Sequence, residues 1–268
     1  MAEHASALPR ARGRLDSAYR VAATGFCFAF FGTGGLVLRL LVFPLVELFI
    51  RDPARRTQVS RRVIHHTWRF FVWLMRAVGV ITVEVRGLER LRRPGLLVLP
   101  NHPTLIDVVI LVSLMPDVSC VVKSALLANP FTRGPVSAAH YVCNDAGIAL
   151  IDDSLEALRT GNSLIIFPEG TRSPQGEPIK LLRGAANVAV RARVDVTPVV
   201  IRCEPLMLGK GQKWYEVPPR PGHFTIEVRE DVAIEQFLES GASEPLAARR
   251  LTQWLEQFFQ QEARRGGD

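Results

Sequence analysis

Two short polar runs carry residue types suited to proton transfer and anion binding. In the first, Pro100-Asn101-His102-Pro103-Thr104-Leu105-Ile106-Asp107, an aspartate lies five positions after a histidine. An imidazole with one nitrogen held by a carboxylate can act as a general base, because its other nitrogen is free to take a proton from a hydroxyl. The same pair also reads as a turn histidine beside a helix-start acid favoured by the helix dipole. The second run is Pro168-Glu169-Gly170-Thr171-Arg172-Ser173. Its glycine permits close backbone approach, and Arg172 offers a planar fork for a phosphate or carboxylate.

The elements around these runs must place them together. Apolar, β-rich stretches at 81–86, 96–99, 118–122, 164–167, 196–201 and 224–228 read as strands. Residues 105–114, 153–160 and 182–192 read as helices, the second stopped by Gly161, and 244–265 reads as an amphipathic helix. Alternating strands and helices with nearly continuous apolar strands predict an α/β fold: a mostly parallel sheet flanked by helices. Both polar runs then fall at the carboxyl ends of strands, the rim where open α/β sheets bind ligands.

The first ninety residues bear on location. Residues 21–50 are almost uninterruptedly apolar and exceed the roughly 20 residues that cross a bilayer as a helix. Gly32, Gly34 and Gly35 weaken a helix there, Arg39 and Glu47 bring charge, and Pro44 removes a backbone donor. A cleaved signal peptide is not expected, since no small-residue cleavage pattern follows. Between residues 51 and 93 stand eleven arginines against Asp52, Glu84 and Glu89, and Arg10, Arg12, Arg14 and Arg20 precede the apolar stretch. Positive charge on both sides fits a hairpin or interfacial helix with both ends on one membrane face. Residues 63–80 read as a second interfacial helix, with Trp68, Phe71, Trp73 and Leu74 apolar and His65, His66, Arg69 and Arg76 available to headgroups. The expected division is a basic tail at 1–20, a membrane-associating segment at 21–80 and a catalytic domain at 81–268.

The runs N-H-P-T-L-I-D, residues 101–107, and F-P-E-G-T-R-S, residues 167–173, closely resemble in order and separation the signature of the glycerolipid acyltransferases of the lysophosphatidic acid acyltransferase type. The resemblance covers roughly residues 80–205. It implies transfer of a fatty acyl group from acyl-CoA or acyl-carrier protein to a lipid hydroxyl, with His102 as base, Asp107 as its orienting partner and no covalent acyl-enzyme. It also implies that Glu169, Gly170, Thr171 and Arg172 hold the acceptor phosphate. Val196-Thr197-Pro198-Val199 matches the family's apolar-proline block, and an amino-terminal helix pair bedded in the membrane agrees with residues 21–80. One position departs: Asn144 or Asp145 stands where the family carries an arginine that helps bind the phosphate. Neither side chain supplies the charge and fork of a guanidinium, so a different, non-phosphate acceptor is the alternative on the same chemistry. Lys123, Lys180 and Arg183 are candidates for compensating charge. A non-catalytic lipid-binding homologue is the second alternative.

Composition agrees with this location. Cys27, Cys120, Cys143 and Cys203 are scattered without ligand or disulfide spacing, which fits a reducing, cytoplasm-facing setting. The +7 formal charge allows anionic lipid or phosphorylated substrates, while no nucleic-acid-binding motif stands out. The histidines lack metal-ligand spacing, and no G-x-S-x-G or phosphate-loop motif is present. Neither a metal nor a bound cofactor is therefore expected.

Overall fold

The computed structural model describes residues 13–144, 148–173, 177–238 and 243–265, and is built around one seven-stranded sheet. Its strands are β1 (Ile81–Arg86), β2 (Leu97–Pro100), β3 (Val118–Val122), β4 (Val142–Cys143), β5 (Ser163–Ile165), β6 (Val196–Glu204) and β7 (Gly222–Val228), in the order β1-β7-β6-β2-β5-β3-β4. Parallel pairing joins β1 to β7, β6 to β2, β2 to β5, β5 to β3 and β3 to β4. Only β6 and β7 pair antiparallel among the described residues, so the sheet is mostly parallel but mixed.

The apolar run on β2 follows from burial on both faces. Val98 joins the core on one side, while Leu97 and Leu99 join the core on the other, and all three are fully buried. The first core lies under α4 (Asp107–Leu114) and the amino-terminal helices; the second lies under α8 (Gly184–Ala192) and α9 (Glu244–Arg265). Three further helices, α5 (Ala125–Ala128), α6 (Arg133–Ala138) and α7 (Ile148–Arg159), connect β3 through β5. Gly161 ends α7 with φ +79°, the left-handed value expected of a C-terminal glycine.

The amino-terminal segment folds as α1 (Arg14–Val37), a π-helical turn (Leu38–Val42), α2 (Phe43–Phe49) and α3 (Pro53–Ala77). Of the expected basic tail, residues 1–12 lie outside the described residues. Pro44 follows directly on the π-turn, whose wider hydrogen-bond spacing interrupts the α-helical ladder where the proline has no N–H to give. The glycines do not break α1. Instead the loop before α6 lies against Gly32 and Gly35: a Cβ on Gly35 would stand 2.0 Å from the Phe131 carbonyl oxygen. Asp52 caps α3 by accepting from the Ala54 and Arg55 amides, with Pro53 at the first helical position.

The α1–α3 contact is aromatic. Phe31 meets Phe71 at 5.3 Å between ring centroids, and Phe30 meets Phe70 at 5.9 Å. One expectation about α3 is overturned: His65 is not available to headgroups. It is buried, and its Nδ1 donates to the Val112 carbonyl at 3.0 Å, which fixes α3 to the end of α4.

Candidate active site

Strand β2 ends at Pro100, and the next residue, Asn101, locks the exit of the chain. Its side-chain amide donates to the Ile201 carbonyl at 2.9 Å, and its Oδ1 accepts the Ile201 amide at 2.7 Å. This two-way clamp onto β6 fixes where the following histidine emerges.

His102 Nδ1 lies 2.8 Å from Asp107 Oδ2. Because an ionised carboxylate only accepts, Nδ1 carries the proton and Nε2 presents its lone pair. The Asp107 side chain is wholly buried and that of His102 is 18% exposed, so the imidazole stands between the carboxylate and solvent. Asp107 opens α4, yet its carboxyl turns back toward the loop and accepts from the Thr104 amide at 2.7 Å and the Thr104 hydroxyl at 2.5 Å. Burial pushes the Asp107 carboxyl up from its ordinary range, while the donors from His102 and Thr104 pull against that rise. The reading of Asp107 as only a helix-start acid is therefore too small: the turn aims it at the imidazole.

The second run leaves β5, the parallel neighbour of β2. Phe167 lays its ring 4.3 Å from the His102 ring. Gly170 adopts φ +66°, a left-handed value that any other residue strains to reach. The resulting turn carries Glu169 underneath His102, where its buried carboxylate accepts the His102 amide at 2.8 Å and also the Ser173 hydroxyl. The Ser173 amide in turn donates to the His102 carbonyl at 3.1 Å. Two hydrogen bonds thus tie the two polar runs into one unit, and the Ser173–Glu169 bond braces the second run within itself. Burial also raises the Glu169 carboxyl above its usual range.

The four residues expected at the acceptor phosphate separate by geometry. Glu169 faces inward against backbone, Gly170 shapes the turn, and Thr171 is exposed. Arg172 Nη1 donates to the Leu208 and Gly209 carbonyls at 3.0 and 2.9 Å, leaving Nε and Nη2 without a protein partner among the described residues. Leu208 also accepts the Leu105 amide at 3.0 Å, so the 205–212 loop bridges both runs. Lys123, Lys180 and Arg183 are exposed. Asn144 follows β4 and is half-buried, its Oδ1 without a partner among the described residues; Asp145 lies outside them.

Four contributors escaped the sequence reading: Asn101, Thr104, Phe167 and Ser173. Thr104 had a visible signal, since a threonine three residues before an aspartate is a common side-chain-to-backbone turn. Asn101 had none, because its partner lies one hundred residues away.

The protein-family model named Acyltransferase matches residues 82–202. A 1-acyl-sn-glycerol-3-phosphate acyltransferase of Pseudomonas aeruginosa is 33% identical over 145 residues, covering 52% of this chain and 56% of that protein. The chain thus spans about half the length of this relative. A protein of the same name from Limnanthes alba is 26% identical over 204 residues, covering 73% and 70% of the two chains. The crystal structure of the 1-acyl-sn-glycerophosphate (LPA) acyltransferase PlsC from Thermotoga maritima superposes with a TM-score of 0.68 at 18% identity, over 94% of this chain and 97% of that one. At that identity the likeness is one of fold, and the resemblance read from the two motifs agrees with it.

Proposed function

We propose that this chain, whose residues 82–202 carry an acyltransferase-family domain, moves a fatty acyl group from acyl-CoA or acyl-carrier protein to the hydroxyl of a lysophospholipid such as 1-acyl-glycerol-3-phosphate. The observation that carries the reading is the His102–Asp107 contact of 2.8 Å in a loop hydrogen-bonded to F-P-E-G-T-R-S from the adjacent parallel strand. The relatives' names agree with the acceptor.

The chemistry is direct transfer. Nε2 of His102 takes the acceptor hydroxyl proton as that oxygen attacks the thioester carbonyl carbon. The C–O bond forms, the carbonyl electrons collect on oxygen, and collapse of the tetrahedral species breaks the C–S bond. The proton on His102 then goes to the departing thiolate. Asp107 keeps the required tautomer and stabilises the imidazolium. Arg172, through its free Nε and Nη2, is the guanidinium best placed to bind the acceptor phosphate, and Gly170 and Thr171 contribute backbone and hydroxyl beside it.

We further infer that residues 21–80 associate with the membrane and that residues 81–268 form the catalytic part on its cytoplasmic face. Leu15–Phe49 is the one helix among the described residues long and apolar enough to cross a bilayer, and only 22% of its most apolar window is buried. A core helix of a soluble protein would be mostly covered. Exposed Phe26 on α1 and exposed Phe70 and Trp73 on α3 give the pair an aromatic edge of the kind that settles at headgroup level.

A second acceptor reading rests on Asn144 or Asp145, one of which, by the resemblance, stands where the family carries a phosphate-binding arginine. On that reading the same dyad acylates a non-phosphate hydroxyl lipid. One assay separates the two: detergent-solubilised protein with labelled acyl-CoA or acyl-carrier protein, against lysophosphatidic acid and non-phosphate hydroxyl lipids, with His102→Ala as control. Product from lysophosphatidic acid that vanishes in the variant supports the first reading. Transfer only to another acceptor supports the second, and no transfer to any acceptor overturns both.

A further inference from the structure

Away from both polar runs, the π-turn and α2 form a cleft of about 610 Å³ with α3 and α6. It falls within the roughly 300–1,000 Å³ typical of ligand clefts. Three arginines from three separate segments converge on it: Arg39 from the π-turn, Arg56 from α3 and Arg133 from α6. Arg39 spends one nitrogen on the Pro130 carbonyl at 3.3 Å, while Arg56 and Arg133 have no side-chain partner among the described residues. Glu47 is the single acid in the lining and forms no ion pair with any of the three. Ser60, buried on α3, and exposed Ser137 add hydroxyl donors.

This convergence is built into the packing. A Cβ on Gly134 would stand 2.5 Å from the Arg39 Cβ, so the glycine is what lets α6 lie directly on the π-turn and brings Arg133 beside Arg39. Arg39 and Arg56 are half-buried and Arg133 is exposed, so three guanidiniums of one sign line a single cleft with only Glu47 against them, an arrangement that a bound anion stabilises. The same helical segment supplies the second half of the argument. Leu40, Leu41, Leu45 and Leu48 are all exposed, with 53–70% of their surface uncovered. Apolar chains thus have an uncovered surface to follow on the same helical segment that lines a site for negative charge.

We infer that this cleft binds the phosphate headgroup of an anionic phospholipid, distinct from the acceptor and donor at His102, with its acyl chains lying along the exposed leucines. A free phosphate would satisfy the arginines but leave the leucines uncovered. The inference deepens the membrane-association reading and rests on it.

Vesicle co-flotation of the full chain tests it, using phosphatidylcholine alone and phosphatidylcholine mixed with phosphatidylglycerol. Two double variants remove equal charge: Arg56→Gln with Arg133→Gln in the cleft, and Arg51→Gln with Arg55→Gln at exposed positions outside it. Their thermal unfolding in detergent is compared first, and if the cleft pair is less stable both glutamine pairs are replaced by lysine pairs, Arg56→Lys with Arg133→Lys against Arg51→Lys with Arg55→Lys, which keep the charge and remove the fork at both places alike. The cleft pair should lose about tenfold more of the preference for the mixed vesicles than the control pair, with attachment to phosphatidylcholine unchanged. Equal loss in the two pairs would reduce the effect to diffuse surface charge and overturn the site. Displacement from mixed vesicles by inorganic phosphate, at an ionic strength matched with chloride, would assign the cleft to a soluble anion and overturn the lipid. If the unaltered chain floats with neither vesicle, the membrane-association reading itself fails, an outcome separate from the other two.

Discussion

The Glu169 carboxylate accepts the backbone N–H of His102 at 2.8 Å, so the residue at the head of E-G-T-R supports the histidine from behind. A carboxylate does not attract a phosphate, and this contact gives Glu169 a physical role that the phosphate does not. Replacing Glu169 with alanine leaves the part-buried His102 amide and the Ser173 hydroxyl without their acceptor, at a cost of about 1 kcal/mol or somewhat more. The expected outcome is a fall in kcat with little change in KM for either substrate. Glu169→Gln keeps the acceptor oxygen and should recover most of the rate. A rise in acceptor KM alone would instead assign Glu169 to the acceptor.

The same carboxylate imposes a pH dependence. Burial raises its pKa in the folded chain above the ordinary glutamate value, so the folded state holds the proton more tightly than the unfolded state. Its contribution to stability is therefore fully present below the unfolded pKa and is lost as pH rises through the raised folded value. Denaturant midpoints measured from the ordinary glutamate range upward should fall with pH, and should fall less in Glu169→Gln. Parallel curves for the two proteins would show that Glu169 is ionised in both states alike.

Removal of the base is the most direct test of the dyad. His102→Ala should lower the rate by about 10²–10⁴ without loss of fold, checked by initial rates and circular dichroism. Asp107→Asn is the more informative change. An asparagine amide turned toward Nδ1 donates to it, moving the proton to Nε2, the position that must accept. A loss in kcat approaching that of His102→Ala, with KM little altered, is expected. Near-normal turnover in either variant would overturn the assignment.

How far the sequence is legible depends on whether a feature is local. Strands at 81–86 and 118–122 and the helix at 244–265 are read with their observed bounds, because each carries its own apolar period. Strand β4 is two residues long, too short to have a period, and was not anticipated. Helix α7 begins at Ile148, not at 153, and Asp152 and Asp153 are exposed positions inside it. The antiparallel pairing of β6 with β7 has no sequence mark, since strand direction leaves alternation unchanged. In the site, the five-residue spacing of His102 and Asp107 was visible, whereas the Asn101 clamp on Ile201 and the Glu169 support of His102 exist only after the sheet has brought distant segments together.

Arg172 joins two tasks that substitution should separate. Nη1 holds the 205–212 loop through two carbonyls, and the remaining nitrogens are free for an anion. Lysine has the charge without the fork, so Arg172→Lys cannot hold both carbonyls and a phosphate together. Acceptor KM should rise by about tenfold or more, the worth of one or two charge-assisted hydrogen bonds. Donor KM should change little. If Arg172→Lys leaves the acceptor KM unchanged while lowering thermal stability, Arg172 serves the loop alone.

The glycines of α1 make a final, purely steric prediction. A Cβ on Gly35 would stand 2.0 Å from the Phe131 carbonyl oxygen, a backbone atom that cannot turn aside as a side chain can. On Gly32 the nearest atom to the same Cβ is Phe131 Cδ1 at 3.5 Å, an ordinary contact. Gly32→Ala should therefore be neutral or stabilising by up to about 1 kcal/mol, through the higher helix propensity of alanine. Gly35→Ala carries the same propensity gain and should nonetheless destabilise by about 1–3 kcal/mol, because α1 must move off the loop that precedes α6. Thermal unfolding in detergent compares the two directly. Equal stabilisation by both would mean that α1 does not rest on Phe131, and that its glycines serve only the approach of helix to lipid.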